Sequence, residues 1–236
     1  MSKIPEDAIQ CLDKGFVRLV DSMGGDEAIV QAARVSYGKG TTKLSQDRGL
    51  IRYLMRHRHT TPFEMVEFKF HCKMPIFVAR QWVRHRTANI NEYSLRYSEA
   101  RDEFYYPDPE HIQFQSALNK QGRMGDVPDD LKKKVQDYFK EISNRSFEIY
   151  SELNTAGVSR ELARAILPVN LYTEWYWKND LHNLLHFVGL RSDSHAQYEI
   201  RVFSDAMAES VKAVAPFAWE AYQDYAVSGL RFSKIE

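Results

Sequence analysis

The clearest pattern of hydrophobic and polar positions lies between Val66 and Met74. Apolar residues occupy every second position there, and glutamate, lysine and histidine stand between them. A period of two predicts a strand with one buried face and one face in water. Pro75 then suits the first turn of a helix, which is predicted over 76–84. The apolar residues over 13–21 predict a second strand, and alternation over 171–177 predicts a third.

Apolar residues at helical spacing indicate the remaining elements. The most regular run begins at Pro128 and keeps a period of 3.6 residues up to Gly157, the expected residue after the helix end. Shorter helices are predicted over 26–35, 46–57, 160–167, 180–188, 195–215 and 219–225. Strands and helices interleave without regular βαβ spacing, which predicts an α+β fold. We expect a single domain over 1–236, with an antiparallel or mixed sheet packed against several helices, including one long helix.

Composition narrows the possible functions. The 32 basic and 32 acidic residues cancel, which argues against bulk attraction to nucleic acid or to an anionic membrane. No apolar run approaches the roughly 18 residues of a transmembrane helix, and the first residues lack a signal-peptide core. Cys11 and Cys72 lie far apart, so a disulfide scaffold or a cysteine-based zinc site is not expected. These features predict a cytoplasmic protein without nucleic-acid or membrane partners.

Candidate chemistry begins with a cluster of arginines. The chain contains 14 lysines and 18 arginines, yet no lysine occurs between Met74 and Asn119. The arginines of this stretch are Arg80, Arg84, Arg86, Arg96 and Arg101. Arginine without lysine favours bidentate recognition of phosphate or carboxylate. Alone, the cluster is more typical of a solvated basic helix end. The short polar side chains that follow, over 89–96, favour a binding site instead. Gln81 and Arg84, three residues apart on the predicted helix, can face one ligand.

Two other interpretations use parts of the same sequence. His182 and His186 have the spacing of paired metal ligands on a helix, which suggests a metal-dependent hydrolase. Zinc proteases need a glutamate directly after the first histidine, where this chain has Asn183. His195 is the one candidate for a third metal ligand. A nucleic-acid-binding module would instead use the cations Arg84, Arg86 and Arg96. The zero net charge disfavours that module. No Rossmann, P-loop or nucleophile-elbow fingerprint occurs.

The segment Arg84-His85-Arg86, followed after seven residues by Ser94, resembles the signature of the flavin-dependent thymidylate synthases. The residues around it, over 80–82 and 91–97, are similar to the family as well. Further similar blocks cover 12–16, 33–36, 59–64, 167–173 and 190–197. The blocks follow the family's order from residue 12 to about residue 200, whereas 111–130 match no block.

This resemblance implies a reaction and an assembly. The reaction converts dUMP to dTMP, with methylenetetrahydrofolate as carbon donor and FAD, reduced by NADPH, as hydride carrier. The assembly is a homotetramer whose active sites are shared between subunits. The partners implied are therefore dUMP, folate, NADPH and further copies of the chain.

Site residues carry over position by position. The residues implied to bind dUMP are Gln81, Arg84, Glu92, Ser94, Arg96, Arg164 and Arg191. Those implied to bind FAD are Thr61, Arg84, His85, Arg86, Glu92, Asp180, Leu181, His182 and His186. His59 and Tyr97 are implied to lie near the folate and flavin rings, and no metal is implied. Asp180 departs from the asparagine of some relatives, and its charge suits a pyrophosphate site only if the carboxylate caps a helix.

The resemblance gives Arg191 the catalytic role. It matches the arginine thought to promote ionisation at N3 of uracil. A fixed guanidinium favours the anionic ring, which pushes electron density toward C5. Covalent activation by the enzyme is then unnecessary, and neither Cys11 nor Cys72 is placed as an activated thiolate. Ser94 lacks an evident base and is interpreted as a binding residue.

Overall fold

The computed structural model describes residues 4–35, 44–118, 120 and 122–229. Its strands are β1 (Ile9–Cys11), β2 (Gly15–Met23), β3 (Glu67–Pro75), β4 (Asn89–Glu92), β5 (Phe114–Gln115), β6 (Arg123–Met124) and β7 (Tyr172–Asp180). The helices are α1 (Asp26–Val35), α2 (Leu44–Arg56), α3 (Ile76–Trp82), α4 (Asp129–Thr155), α5 (Arg160–Ala163), α6 (Leu181–Arg191), α7 (Tyr198–Val214) and α8 (Pro216–Tyr222). Five strands form one sheet in the order β1-β2-β3-β7-β4, and β5 pairs with β6 in a separate hairpin. Every pairing of named strands is antiparallel, which confirms the α+β prediction.

Strand β3, which its alternating sequence predicts, lies at the centre of the sheet. Its residues pair with β2 on one side and with β7 on the other, so that Cys72 stands between Val17 and Trp175. The side chains of Phe68 and Phe70 have no exposed surface. The strand is shifted by one residue from the predicted range and ends at Pro75, which serves as the N-cap of α3 rather than its first residue.

A cluster of aromatic side chains joins the sheet to the helices. The ring centroid of Trp82 lies 5.3 Å from that of Trp175, 5.7 Å from that of Trp177 and 5.0 Å from that of Phe187 on α6. All four side chains are buried. Contacts between large aromatic rings contribute strongly to a core. Because Trp82 is the last residue of α3, this packing fixes the point at which the chain leaves the helix.

The prediction that α3 continues to Arg84 is wrong. Val83 is the C-cap of the helix, and Arg84 lies in the turn that follows. Arg84 and Gln81 therefore do not share a helical face, although they remain close in sequence. Residues 84–86 thus lie in and after the turn that ends the helix rather than on the helix itself.

The long helix α4 covers the predicted range almost completely. Gly157 follows its C-cap with φ of +80°, a left-handed conformation that suits glycine. The N–H of Val158 donates to the carbonyl of Leu153 at 3.0 Å and closes the helix end. On α4, the hydroxyl of Tyr150 accepts a hydrogen bond of 2.8 Å from the backbone N–H of Ala100. This contact ties the segment after the arginine cluster to the long helix.

Other boundaries differ from the sequence prediction by a few residues. Helix α7 begins at Tyr198 rather than at residue 195, because Asp193 accepts a hydrogen bond of 2.8 Å from the N–H of His195 and holds a turn there. Helix α8 begins with Pro216 and is followed by a π-helical turn, Gln223–Val227. Across the described ranges, no helix is long and apolar enough to cross a membrane.

Candidate active site

The arginine cluster and helix α6 meet at a hydrogen bond between Arg191 and His85. The Nε atom of Arg191 donates to Nε2 of His85 at 3.0 Å. Its Nη2 atom donates to the backbone carbonyl of Gln81 at 3.4 Å. Arg191 is the last residue of α6, and His85 follows the end of α3, so the aromatic core beneath these helices fixes both groups. The structure therefore brings together three of the residues that the sequence predicts.

Electrostatics around His85 favour its neutral form. Burial, together with the positive charge of Arg191 and the neighbouring His186, lowers the pKa of His85 to about 4. A neutral imidazole can accept the hydrogen bond from Arg191, whereas an imidazolium cannot. Burial also lowers the pKa of Arg191 from its usual value, but the guanidinium stays charged. The pair is thus a fixed cation beside a neutral acceptor.

Gln197 joins this group, although no site role was predicted for it from the sequence. The side-chain amide of Gln81 donates a hydrogen bond to Oε1 of Gln197, which precedes α7. Gln197 closes the similar block over 190–197, and that position was the available signal. Its contact orients the amide of Gln81, one of the residues implied to bind dUMP.

A cavity of about 490 Å³ opens beside this group, between the end of α2 and helix α6. Three histidines from the predicted site, His59, His182 and His186, line it. Its other lining residues are Leu54, Met55, Arg56, Arg58, Thr60, Phe63, Leu185, Gly189, Leu190, Tyr222, Tyr225 and Ala226. Among the described residues, no carboxylate belongs to this lining, in which arginine, histidine and aromatic side chains supply the polar and planar groups. The cavity therefore suits an aromatic ligand that carries negative charge.

The carboxylate of Asp180 does not enter the cavity. Asp180 is the N-cap of α6, and its side chain accepts a 2.9 Å hydrogen bond from the backbone N–H of Asn183. Its second oxygen accepts a 2.7 Å bond from the Asn183 side chain. The carboxylate of Asp180 therefore caps a helix, which is the condition under which its charge suits a pyrophosphate site. Leu181 is fully buried, and its N–H donates to the carbonyl of Val66.

Thr61 and Glu92 do not belong to the lining of the cavity beside α6. Thr61 begins the short turn Thr61–Met65 and lines a second cavity of about 530 Å³, which shares Leu54, Arg58, His59 and Thr60 with the first. Glu92 ends strand β4, and its carboxylate accepts a hydrogen bond of 2.7 Å from the hydroxyl of Thr173.

Ser94, Arg96 and Tyr97 form a separate group beside α5. The hydroxyl of Ser94 accepts a 3.3 Å hydrogen bond from the N–H of Arg96. Arg96 forms an exposed ion pair of 3.1 Å with Glu161, and Tyr97 is 80% exposed. None of the three lines the cavity beside α6. Within one described chain, the predicted dUMP residues are thus divided between two locations.

Several predicted site cations have no acidic partner. Arg96 and Arg101 pair with Glu161 and Glu174. In the part of the chain that the structure describes, Arg84, Arg86 and Arg164 form no ion pair with a carboxylate. An arginine that keeps its charge without a partner in the protein is available to an anionic ligand.

Neither cysteine has the properties of a nucleophile. Burial raises the pKa of Cys11 to about 12 and raises that of Cys72 well above its usual value. Both thiols are therefore protonated at neutral pH. Over residues 4–35, 44–118, 120 and 122–229, no group of three or more histidine, cysteine or acidic side chains is arranged to hold a metal ion. His182 and His186 thus lack a third ligand there.

Comparison with known proteins gives consistent matches. A family model described as thymidylate synthase complementing protein matches residues 18–217. A flavin-dependent thymidylate synthase of Rickettsia conorii is 54% identical over 247 residues, which cover 99% of this chain and 84% of that protein. One of Ehrlichia ruminantium is 58% identical over 223 residues, covering 94% and 75% of the two chains.

A solved structure shares the fold. The UMP/dUMP methylase PolB from Streptomyces cacaoi, bound with 5-Br dUMP, superposes with a TM-score of 0.83 at 34% sequence identity. The match covers 91% of this chain and 97% of that one. The family model, the two relatives and the shared fold confirm the resemblance drawn from the sequence. The chain belongs to the family of flavin-dependent thymidylate synthases.

Proposed function

We propose that this protein methylates dUMP to dTMP, with methylenetetrahydrofolate as carbon donor and FAD, reduced by NADPH, as hydride carrier. Family membership and the dUMP analogue in the PolB structure support the substrate. The observation that carries the proposal is the fixed guanidinium of Arg191, held between His85 and the carbonyl of Gln81. This contact places a cation with unused N–H donors beside the arginine cluster.

Arg191 acts on the uracil ring by electrostatics. Two of its N–H groups are engaged by His85 and Gln81, and the others remain for a ligand. A cation at N3 and its neighbouring carbonyl stabilises the ionised ring more than the neutral ring. The additional electron density at C5 allows that carbon to attack the one-carbon unit. Neutral His85 supports this role, since it accepts from Arg191 without adding a second positive charge.

The reaction needs no covalent bond to the enzyme. The pKa values of Cys11 and Cys72 are raised by burial, and neither thiol is a ready nucleophile. Ser94 donates no hydrogen bond to a base in the described structure, and its hydroxyl accepts from the backbone of Arg96. We assign Ser94 to substrate binding, together with Gln81, Arg84, Glu92, Arg96 and Arg164.

The cavity beside α6 fits part of FAD, which is planar, aromatic and anionic. His59, His182 and His186 line it, and Thr61, Arg84, His85, Arg86, Glu92 and Tyr97 would complete the flavin and folate site. The side chain of Asp180 and the N–H of Leu181 already form hydrogen bonds within the protein. We therefore assign the FAD contacts of residues 180–182 to His182. When bound, FAD supplies the hydride that completes the methyl group.

We further propose a cytoplasmic homotetramer in which each chain, 1–236, is one domain and sites are shared. The division of Ser94, Arg96 and Tyr97 from the cavity supports sharing. Exposed apolar side chains on α4 support association, because Leu131, Tyr138 and Ile142 are 39%, 54% and 58% exposed.

Flavin content gives the first test of this proposal. Purified protein should be yellow and should release a flavin absorbance band on denaturation. Protein that is folded, colourless and unable to take up added FAD would contradict the proposal.

A further inference from the structure

Arg58 occupies the turn that ends helix α2, in a conformation that arginine rarely adopts. Its φ is +57°, in the left-handed region. The N–H of Arg58 donates to the carbonyl of Met55 at 3.2 Å, and that of His59 donates to the carbonyl of Leu54 at 2.9 Å. This is the hydrogen bonding of a helix stop at which glycine is usual. A strained residue that persists at a cavity suggests a function for its side chain.

Arg58 lines both cavities at this end of the molecule. The cavity of about 490 Å³ beside α6 and the one of about 530 Å³ beside α1 share Arg58 with His59 and Thr60. Within the described ranges, neither lining includes an aspartate or a glutamate. Arg58 therefore stands where two openings meet, in surroundings that carry positive or neutral side chains.

Acidic residues near this end of α2 are already paired with other arginines. Arg48 and Arg52 both pair with Glu220, and Arg52 also pairs with Asp224 at 2.7 Å. Among the residues that the structure describes, Arg58 forms no ion pair with a carboxylate. Its exposed guanidinium is therefore available to an anion from solution.

Part of the lining of the cavity beside α6 is aromatic. Tyr225, in the π-helical turn after α8, lines it together with Tyr222. The guanidinium of Arg52 lies 5.0 Å from the ring centroid of Tyr225 and holds that ring in place. A planar ring and a free cation at one opening are the groups that a nucleotide needs, one for its base or flavin and one for its phosphate.

We propose that Arg58 binds a phosphate group of a dinucleotide in these cavities, FAD or NADPH, and thereby contributes to cofactor or co-substrate affinity. This inference rests on the proposed function, which supplies both dinucleotides. Arginine suits the task because its planar donors match two phosphate oxygens at once. Arg58 follows the end of α2 in the left-handed conformation and lines both cavities.

Replacing Arg58 by glycine separates the effect of the side chain from that of the backbone conformation. Arg58→Gly removes the cation but suits the left-handed turn, so the melting temperature should stay equal or rise. The dissociation constant of FAD or the KM for NADPH should increase by about tenfold, as expected for one charge-assisted hydrogen bond. Arg58→Lys should recover part of the loss. Arg145→Ala, which removes an exposed arginine on α4, is the matched control and should change neither value.

Riboflavin, which carries no phosphate, distinguishes phosphate binding from ring binding. Titration of flavin-free protein with FAD and with riboflavin, followed by flavin fluorescence, should show weaker FAD binding and unchanged riboflavin binding in Arg58→Gly. That result would assign Arg58 to FAD. Unchanged FAD binding with a higher KM for NADPH would assign it to NADPH.

Two further outcomes overturn the inference. Equal loss of FAD and riboflavin binding, or a lower melting temperature with both ligands unaffected, would show that Arg58 is structural. Wild-type values for both dinucleotides in Arg58→Gly would exclude a phosphate contact. If the wild-type protein itself binds neither FAD nor NADPH, the proposed function fails instead, and the two failures are thereby distinguished.

Discussion

Arg191 donates a hydrogen bond from Nε to Nε2 of His85 at 3.0 Å, across 106 positions of sequence. This contact joins the end of α6 to the turn after α3, where the Arg84-His85-Arg86 segment lies. It sets the direction of the Arg191 guanidinium, and it requires a neutral imidazole. The proposed catalysis and the pH behaviour of the site both depend on this pair.

Removal of the Arg191 side chain should affect the chemistry more than binding. We expect Arg191→Ala to bind FAD and dUMP measurably and to lose about 100-fold or more in turnover, because its contact strengthens as the ring ionises. Arg191→Lys should retain part of the activity. Steady-state turnover at saturating dUMP, with a binding titration, measures both effects. Near-normal turnover of Arg191→Ala would remove Arg191 from the mechanism.

His85 should make the protein less stable in mild acid. Its pKa is about 4 in the folded protein and about 6.5 when unfolded, so the unfolded chain binds more protons between these values. The contribution of His85 to the free energy of unfolding is therefore fully present above about pH 6.5. It decreases as the pH is lowered toward 4. Because His85 is only half-buried, we expect a loss of roughly 1–2 kcal/mol.

Urea unfolding of wild type and His85→Gln from pH 4 to 8 measures this contribution. Glutamine can accept from Arg191 without titrating, so the variant should lose less stability in acid. Parallel pH profiles for the two proteins would show that His85 does not carry the effect.

Cysteine chemistry should be dispensable. We expect the double variant Cys11→Ala, Cys72→Ala to keep turnover within a few-fold of wild type, because both thiols are buried and protonated. Circular dichroism checks that the variant is folded, since Cys72 lies in the core. A folded double variant without activity would revive a cysteine nucleophile.

Shared sites should allow complementation between defective subunits. Arg86→Ala should impair FAD binding, and Arg164→Ala should impair dUMP binding. If one site takes these residues from different chains, a mixture allowed to exchange subunits should be more active than either variant alone. Each variant exchanged with itself is the control. A mixture no more active than the controls would indicate that each chain builds its own site.

The sequence predicted the elements whose pattern is set by local packing. Strand β3 and helix α4 have long, regular periods, and both were found within one or two residues of the predicted range. Strand β1 was not predicted because its three residues, which pair with the neighbouring β2, are too few to show a period. The bounds of β4 were not predicted because this strand pairs with the distant β7. The end of α3 was misplaced by two residues, since the helix ends at Trp82 with Val83 as its C-cap, and no residue after Trp82 marks this end in the sequence.

The resemblance predicted site residues mainly within the blocks of similar sequence. His85 and Arg191 belong to such blocks, but their hydrogen bond could not be inferred from spacing. Gln197 lies within a block, but its hydrogen bond with Gln81 is evident only from the structure. Arg58 and Tyr225 lie outside the blocks, and only the folded cavity brings them together.

The most direct test is formation of dTMP by the purified protein. Incubation with dUMP, methylenetetrahydrofolate, NADPH and FAD, with chromatographic detection of the nucleotide, should give dTMP. Omission of any one component, after bound flavin has been removed, should abolish it. Folded protein that binds FAD and dUMP yet forms no dTMP in the complete mixture would contradict the proposed reaction.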